Sequence, residues 1–286
     1  MSHDTPVSTP KLPTPPGACD THMHIYEPGF EMRGAAPHPG QPATLAHYVN
    51  GVQKKLGLTR TVIVQPSAYG TDNSCTTEAM LKLGGDNARG VAIVDPKSPD
   101  AEIDRLTKLG IRGVRYHMMG TPVLGWDTMA RMAARVASFG WHVQVQCEPK
   151  EFSAHEALLS SLPCDLVIDH MGRFDAATPA GDKDWGVMMK LLGTGRCWIK
   201  LSGPYYGSKS GPPHYEDKTH IARALIKAAP ERMVWASNWP HPSFKKQFPD
   251  EGGLLDLLAD WTQDEALRLK ILVTNPAKLY GFKGTS

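Results

Sequence analysis

Eight short apolar segments alternate with amphipathic segments along this 286-residue chain, about one strand-like segment per 30 residues. Each is rich in valine, isoleucine or aromatic residues and ends in polar residues, glycine or proline. In chain order they are ACDTHMHIY, RTVIVQPS, RGVAIVDP, IRGVRYHMM, HVQVQCEP, DLVIDHMG, CWIKLSGPYY and RMVWASNWP. Short apolar runs of this kind are typical of buried parallel strands. The alternation therefore predicts βαβ units and a parallel sheet.

Helix-like segments separate these strands, and several carry clear boundary signals. SPDAEIDRLTKLG, for example, opens with the helix-starting pair Ser98-Pro99 and ends at Gly110. Eight strand–helix units favour a (β/α)8 barrel of the TIM type. An open doubly wound sheet is the alternative, but the chain has no glycine-rich phosphate loop of the kind that such sheets often carry.

Charge and composition restrict the partners that the chain can have. The net charge is +2, so nothing indicates nucleic acid or an anionic membrane as a partner. No apolar run approaches the roughly 20 residues of a membrane span, and the first residues lack the features of a secretory signal. The oligomeric state stays open.

Cysteine usage and the proline-rich start bear on location and domain organisation. The five cysteines are scattered and odd in number, which is typical of a reducing compartment, and we expect a cytoplasmic protein. We predict a proline-rich arm over residues 1–16 and a single (β/α)8 catalytic domain over residues 17–286.

Histidine and asparagine side chains stand where three of the predicted strands end. His22 and His24 are two residues apart on the first strand, so both face the same side. His170 ends the sixth strand and Asn238 ends the eighth. Active sites of such barrels lie at the carboxyl ends of the strands, so these side chains would meet there. Alternatively, the first pair consists of hydrogen-bonded histidines in a half-buried strand, and Asn238 is a turn residue before Trp-Pro.

The segments DTHMH, VIVQPSAYGTDN, VIDHMGR, WASNWPHP and TNPAKLYGF together resemble the amidohydrolase superfamily, and within it the lactonase branch. The resemblance runs from about Gly17 to the C-terminus. It implies a barrel in which an HxH pair, histidines on the fifth and sixth strands and an aspartate on the eighth bind one or two metal ions. Those metal ions activate a water molecule for hydrolysis.

The chain departs from that family pattern at two strand ends. Gln146 ends the fifth strand where a histidine is expected, since His142 is at the strand's other end, and Asn238 replaces the aspartate. The lactonase branch has metal-independent members, and we therefore expect no cofactor here. The alternative is a weakly bound divalent ion such as Zn²⁺, because three histidines can bind it. The ligands would then be His22, His24 and His170.

The amide of Asn238 changes the expected reaction. An amide cannot take a proton from water, whereas an intramolecular acyl transfer needs no water because a substrate hydroxyl is already close to the carbonyl. Together with the segment PPGACDTHMHIYEP, this makes the chain similar to the lactone isomerases of the branch. The resemblance implies isomerisation of an aldaric acid lactone, D-galactaro-1,5-lactone to D-galactaro-1,4-lactone.

The sequence is also compatible with two other functions. One is a lactone hydrolase acting on a sugar-acid or pyrone-dicarboxylate lactone, with a histidine as the base. The other is an inactive barrel that only binds carbohydrate acids. In the isomerase, His22, His24 and His170 would polarise the carbonyl and move protons, and Asn238 would orient the attacking hydroxyl or the oxyanion.

A carboxylated lactone needs cationic and polar partners, and strand ends supply them. Arg115 can hold a carboxylate through two hydrogen bonds, or form an ordinary ion pair. Arg173 does the same or orders its loop. Structural roles are equally open for the polar residues. The predicted substrate contacts are Arg115, His117, Gln65, Ser67, Gln146, Arg173 and Tyr205.

Overall fold

Eight parallel strands form one sheet, and their order in the sheet is their order in the sequence. The structure is a computed structural model that describes residues 5–33, 38–178, 181–244 and 247–283. The strands are β1 (Cys19–Met23), β2 (Arg60–Val64), β3 (Ala88–Ala92), β4 (Ile111–His117), β5 (His142–Gln146), β6 (Leu166–Ile168), β7 (Cys197–Leu201) and β8 (Met233–Trp235). They match the eight predicted segments. The predicted TIM-type barrel is confirmed.

The barrel closes where the chain after β8 returns to β1. The backbone N–H of Asn238 donates to the carbonyl of His22 over 2.8 Å, and the N–H of His24 donates to the carbonyl of Trp239 over 2.8 Å. An open sheet has two free edges, so these bonds argue against the doubly wound alternative. Closure also brings the HxH pair next to Asn238.

Helices surround the barrel and follow the strands in turn. They are α1 (Leu45–His47), α2 (Ser74–Leu83), α3 (Asp100–Leu109), α4 (Trp126–Ala137), α5 (Glu151–Ala154), α6 (Glu156–Ser161), α7 (Lys183–Gly193), α8 (Thr219–Ala228), α9 (Glu251–Trp261), α10 (Glu265–Leu269) and α11 (Asn275–Tyr280). The π-helices Tyr48–Gln53 and Lys270–Thr274 extend α1 and join α10 to α11. Two glycines in the first turn of α9 weaken the helical pattern of its sequence.

The strands are buried along almost their whole length because helices cover the outside of the barrel and side chains fill its inside. The proline-rich arm lies against α9: the backbone N–H groups of Lys11 and Leu12 both donate to the Asp256 carboxylate over 2.8 Å. In the described part of the chain, no helix combines the length and the hydropathy that crossing a membrane requires.

The turn after β8 explains part of the local sequence. Asn238 has φ 66°, in the left-handed region that asparagine adopts more readily than most residues. Its amide side chain also lines the mouth of the barrel. The backbone conformation and a role in the site are therefore both compatible with asparagine at this position.

Candidate active site

A cleft at the carboxyl ends of the strands has an empty volume of ≈ 350 Å³, including the part open to solvent. Six predicted site residues line it: His24, Ser67, Arg115, His117, Gln146 and Asn238. The other lining residues are Tyr26, Tyr206, Pro242 and Ser243. The structure thus brings together side chains from distant parts of the chain. The remaining predicted residues do not line it and are described below.

The HxH pair forms a directed hydrogen-bond chain. His24 Nδ1 is 2.7 Å from the carbonyl of Val64, so this nitrogen carries a proton and donates it. Burial lowers the pKa of both His22 and His24, so each ring is neutral and has one proton. His24 Nε2 is then an acceptor, and His22 Nε2, 3.2 Å away, donates to it. The basic nitrogen of the pair is therefore Nε2 of His24.

A buried ion pair stands behind His22. The ammonium of Lys200 is 3.2 Å from His22 Nδ1, 3.4 Å from Asp169 Oδ1 and 2.7 Å from Gln144 Oε1. Gln144 Nε2 donates to the other oxygen of Asp169 over 3.1 Å. Burial lowers the pKa of Lys200 to about 8, and Asp169 opposes that shift. His22 Nδ1 is also 3.2 Å from Asp169 Oδ1, and the proton on Nε2 of His22 leaves Nδ1 to accept from the ammonium.

Removing the lysine would leave a buried carboxylate without its counter-ion. We expect Lys200→Met to lower the free energy of unfolding by about 3–5 kcal/mol, as for other broken buried pairs. Urea denaturation followed by circular dichroism measures the loss. Asp169→Asn in the same chain should recover part of it, because the uncompensated charge is then gone. A Lys200→Met protein as stable as the wild type would contradict this assignment.

His170 lies beside the HxH pair but behind the cleft wall. Its Nδ1 is 2.8 Å from the hydroxyl of Ser202, and its ring centroid is 4.9 Å from that of His22. Gly203 makes room for it, because a Cβ there would lie 3.0 Å from His170 Cβ and 2.7 Å from a ring carbon of Tyr206. The close approach fixes the imidazole next to His22.

A positive charge stands beside the group of described residues that could hold a divalent metal ion. The cluster able to hold one is His22, Asp169 and His170, whose ligand atoms lie within 4.8 Å of one another. This differs from the predicted set, since His24 is replaced by Asp169. However, the Lys200 ammonium contacts both Asp169 and His22 and would repel a second cation.

Asn238 is held by a tyrosine that lies outside the cleft. Its Nδ2 donates to the hydroxyl oxygen of Tyr205 over 2.8 Å. Its Oδ1 has no hydrogen bond to another described residue. Tyr205, predicted to touch the substrate, is therefore a support for Asn238, and the neighbouring Tyr206 lines the cleft instead.

Arg115 presents an incompletely satisfied guanidinium at the cleft. One nitrogen, Nη1, donates to the backbone carbonyl of Gln65 over 2.7 Å. Its Nε is buried and has no partner among the described residues, and the same is true of the Ser67 hydroxyl. Unpaired buried donors are costly, so both atoms fit a site completed by a polar ligand. The Gln65 side chain is not available to a ligand, because it bonds to Thr76 and to loop carbonyls.

Of the other predicted substrate contacts, two line the cleft and one does not. His117 and Gln146 line the cleft, and burial lowers the pKa of His117 to about 3, so it is neutral. Arg173 does not line it: its guanidinium carbon lies 4.1 Å from the centroid of the Tyr206 ring, and Nη2 is 3.5 Å from Glu148. Arg173 therefore orders the loop that carries Tyr206.

Sequence reasoning missed Asp169, Gln144 and Tyr26. Strand alternation offered a signal for two of them, because Gln144 is two residues from Gln146 and Tyr26 two residues from His24. Asp169 directly precedes His170, but nothing local shows that it pairs with a lysine on the next strand.

The chain is similar in sequence and in structure to known proteins of one family. A family model described as amidohydrolase matches residues 19–282. The chain is 32% identical to a 2-pyrone-4,6-dicarboxylate hydrolase of Comamonas testosteroni, over 96% of this chain and 93% of the relative. It is 30% identical to a D-galactarolactone isomerase of Agrobacterium fabrum, over 96% and 94%. An apo crystal structure from Agrobacterium tumefaciens superposes with a TM-score of 0.88 at 30% identity, over 96% and 100%.

Proposed function

Because the chain belongs to the amidohydrolase family, as its resemblance to that superfamily predicted, we propose that it is a lactone isomerase. The reaction is the conversion of an aldaric acid lactone, D-galactaro-1,5-lactone, to D-galactaro-1,4-lactone. The relatives of this chain include a hydrolase and an isomerase at similar identity, so the choice between the two reactions depends on the chemistry of the cleft.

The observation that carries the proposal is that Asn238 presents an amide to a cleft whose described lining residues include no aspartate or glutamate. Asp169, the nearby acid, is fully buried and paired with Lys200. A substrate hydroxyl needs less activation than water when it is already held next to the carbonyl.

In the proposed mechanism the lactone carboxylate binds Arg115, whose Nε lacks a protein partner. The C4 hydroxyl attacks the lactone carbonyl at C1 and gives its proton to Nε2 of His24, displacing the long contact from His22. The tetrahedral intermediate collapses, the C5 oxygen leaves, and it takes the proton back. His22 and His170 support the base from behind the wall. Atoms and charge balance without water.

We further propose that the enzyme needs no metal ion. Support comes from the Lys200 ammonium, which already neutralises Asp169 behind the HxH pair. Chelator treatment should therefore leave the rate unchanged, and added Zn²⁺ should not raise it. Loss of activity in chelator, restored by one divalent metal, would refute this part of the proposal.

Hydrolysis of a lactone remains the second candidate, since His24 could also take a proton from water. Following freshly prepared galactaro-1,5-lactone by NMR separates the two reactions. We expect the 1,4-lactone as the first product and no proton release in a pH-indicator assay. Open-chain diacid as the first product would overturn the isomerase assignment.

Asn238→Asp tests the role of the amide directly. A carboxylate at this position can activate water, so we expect part of the product to be the open diacid. Asn238→Gly is the matched control: glycine tolerates the φ of 66° but offers no base, so hydrolysis should not appear. An Asn238→Asp protein that forms no diacid would count against the interpretation.

A further inference from the structure

A buried chain of hydrogen bonds runs from Asn238 to the first turn of α9. Asn238 Nδ2 is 2.8 Å from the Tyr205 hydroxyl, which is 2.9 Å from Nδ1 of His241. Nε2 of His241 is 2.8 Å from Oε1 of Glu251. His241 and Glu251 are both fully buried. The proposed mechanism uses neither of them.

We propose that Tyr205, His241 and Glu251 are positioning residues that turn Oδ1 of Asn238 toward the substrate, where it accepts the hydrogen bond that orients the attacking hydroxyl before the proton of that hydroxyl passes to His24. The inference rests on the proposed function for its substrate, and it decides between the two roles open to Asn238. To donate a hydrogen bond to the oxyanion, Asn238 would have to present its NH₂ group to the cleft instead of Oδ1.

The direction of each bond follows from the donors available. Because the Asn238 amide donates to the tyrosine oxygen, the tyrosine proton is free for Nδ1 of His241. Burial lowers the pKa of His241 to about 3, so its ring is neutral at pH 7 and carries one proton. That proton is then on Nε2, and it is donated to Glu251 Oε1.

The chain can exist with the opposite polarity, and this makes the inference testable. A proton on Oε1 of Glu251 would be donated to Nε2 of His241, and Nδ1 would then donate to Tyr205. The tyrosine would donate to the amide oxygen, and the NH₂ of Asn238 would face the cleft. Burial raises the pKa of Glu251 and so favours a protonated carboxyl group. That proton can be on Oε2, which has no partner among the described residues, and Oε1 then still accepts from His241.

Nitrogen-15 NMR of histidine-labelled protein distinguishes the two polarities without any substrate. The signals of His241 are those lost in His241→Asn, a change compatible with its φ of 57°. We expect Nε2 protonated and Nδ1 unprotonated. A proton on Nδ1 would overturn the inference whatever reaction the protein catalyses.

Kinetics of Tyr205→Phe test the consequence for the reaction. Without the hydroxyl the amide is free to turn, so kcat should fall about 10²-fold while KM changes by less than about threefold. Tyr215→Phe is the control, because Tyr215 contacts the Tyr205 ring but its hydroxyl is not part of the chain; it should keep the wild-type rate. An unchanged kcat in Tyr205→Phe would contradict the positioning role. If the wild type converts no galactaro-lactone, the proposed function fails, and the role of Asn238 toward an attacking hydroxyl fails with it. The NMR experiment still decides the polarity of the hydrogen-bond chain in that case.

Discussion

His24→Asn should lower kcat for the proposed lactone isomerisation by about 10³-fold, the range expected when a general base is removed. The asparagine amide can still donate to the carbonyl of Val64, so the local fold should persist. What is lost is the basic Nε2 at the cleft wall. Steady-state rates from NMR time courses measure the effect, and the melting temperature checks the fold.

A matched histidine outside the site shows whether the effect is specific. His214 is exposed, lies 3.4 Å from Asp260 and does not line the cleft. His214→Asn should therefore leave kcat unchanged. Wild-type turnover in His24→Asn would show that another group is the base, and would remove the basis of the proposed mechanism.

Arg115→Met should lower kcat/KM by about 10²-fold, mainly through a higher KM, because the carboxylate of the proposed substrate loses its buried counter-ion. Methionine keeps the length of the side chain and removes the charge and the donors. Arg115→Lys should recover only part of the loss, since an ammonium cannot form the paired hydrogen bonds of a guanidinium. Initial rates over a range of lactone concentrations give both constants.

An exposed arginine provides the comparison. Arg105 forms a surface pair with Glu102 over 2.8 Å, and Arg105→Met should not change kcat/KM. A lactone lacking the carboxylate should bind wild type and Arg115→Met equally weakly. If Arg115→Met instead changed kcat alone, the guanidinium would be acting on the reacting atoms and not on the carboxylate.

The candidate site was predictable where a residue follows the regular pattern of a strand. Ser67, His117 and Gln146 line the cleft because each stands at the end of a barrel strand. Tyr205 and Gln65 stand there too, yet they support other residues, since local spacing does not reveal which way a loop turns. The same limit applies to Arg173, which packs on Tyr206.

The sequence by itself determined the barrel, its eight strands and the end at which polar side chains gather. It could do so because hydrophobic periodicity and strand–helix alternation are local properties. Only the tertiary structure decided that Lys200 neutralises Asp169, and that Glu251 and His241 lie behind Asn238. These contacts join residues on different strands, loops and helices, and their energies depend on burial, which no short stretch of sequence specifies.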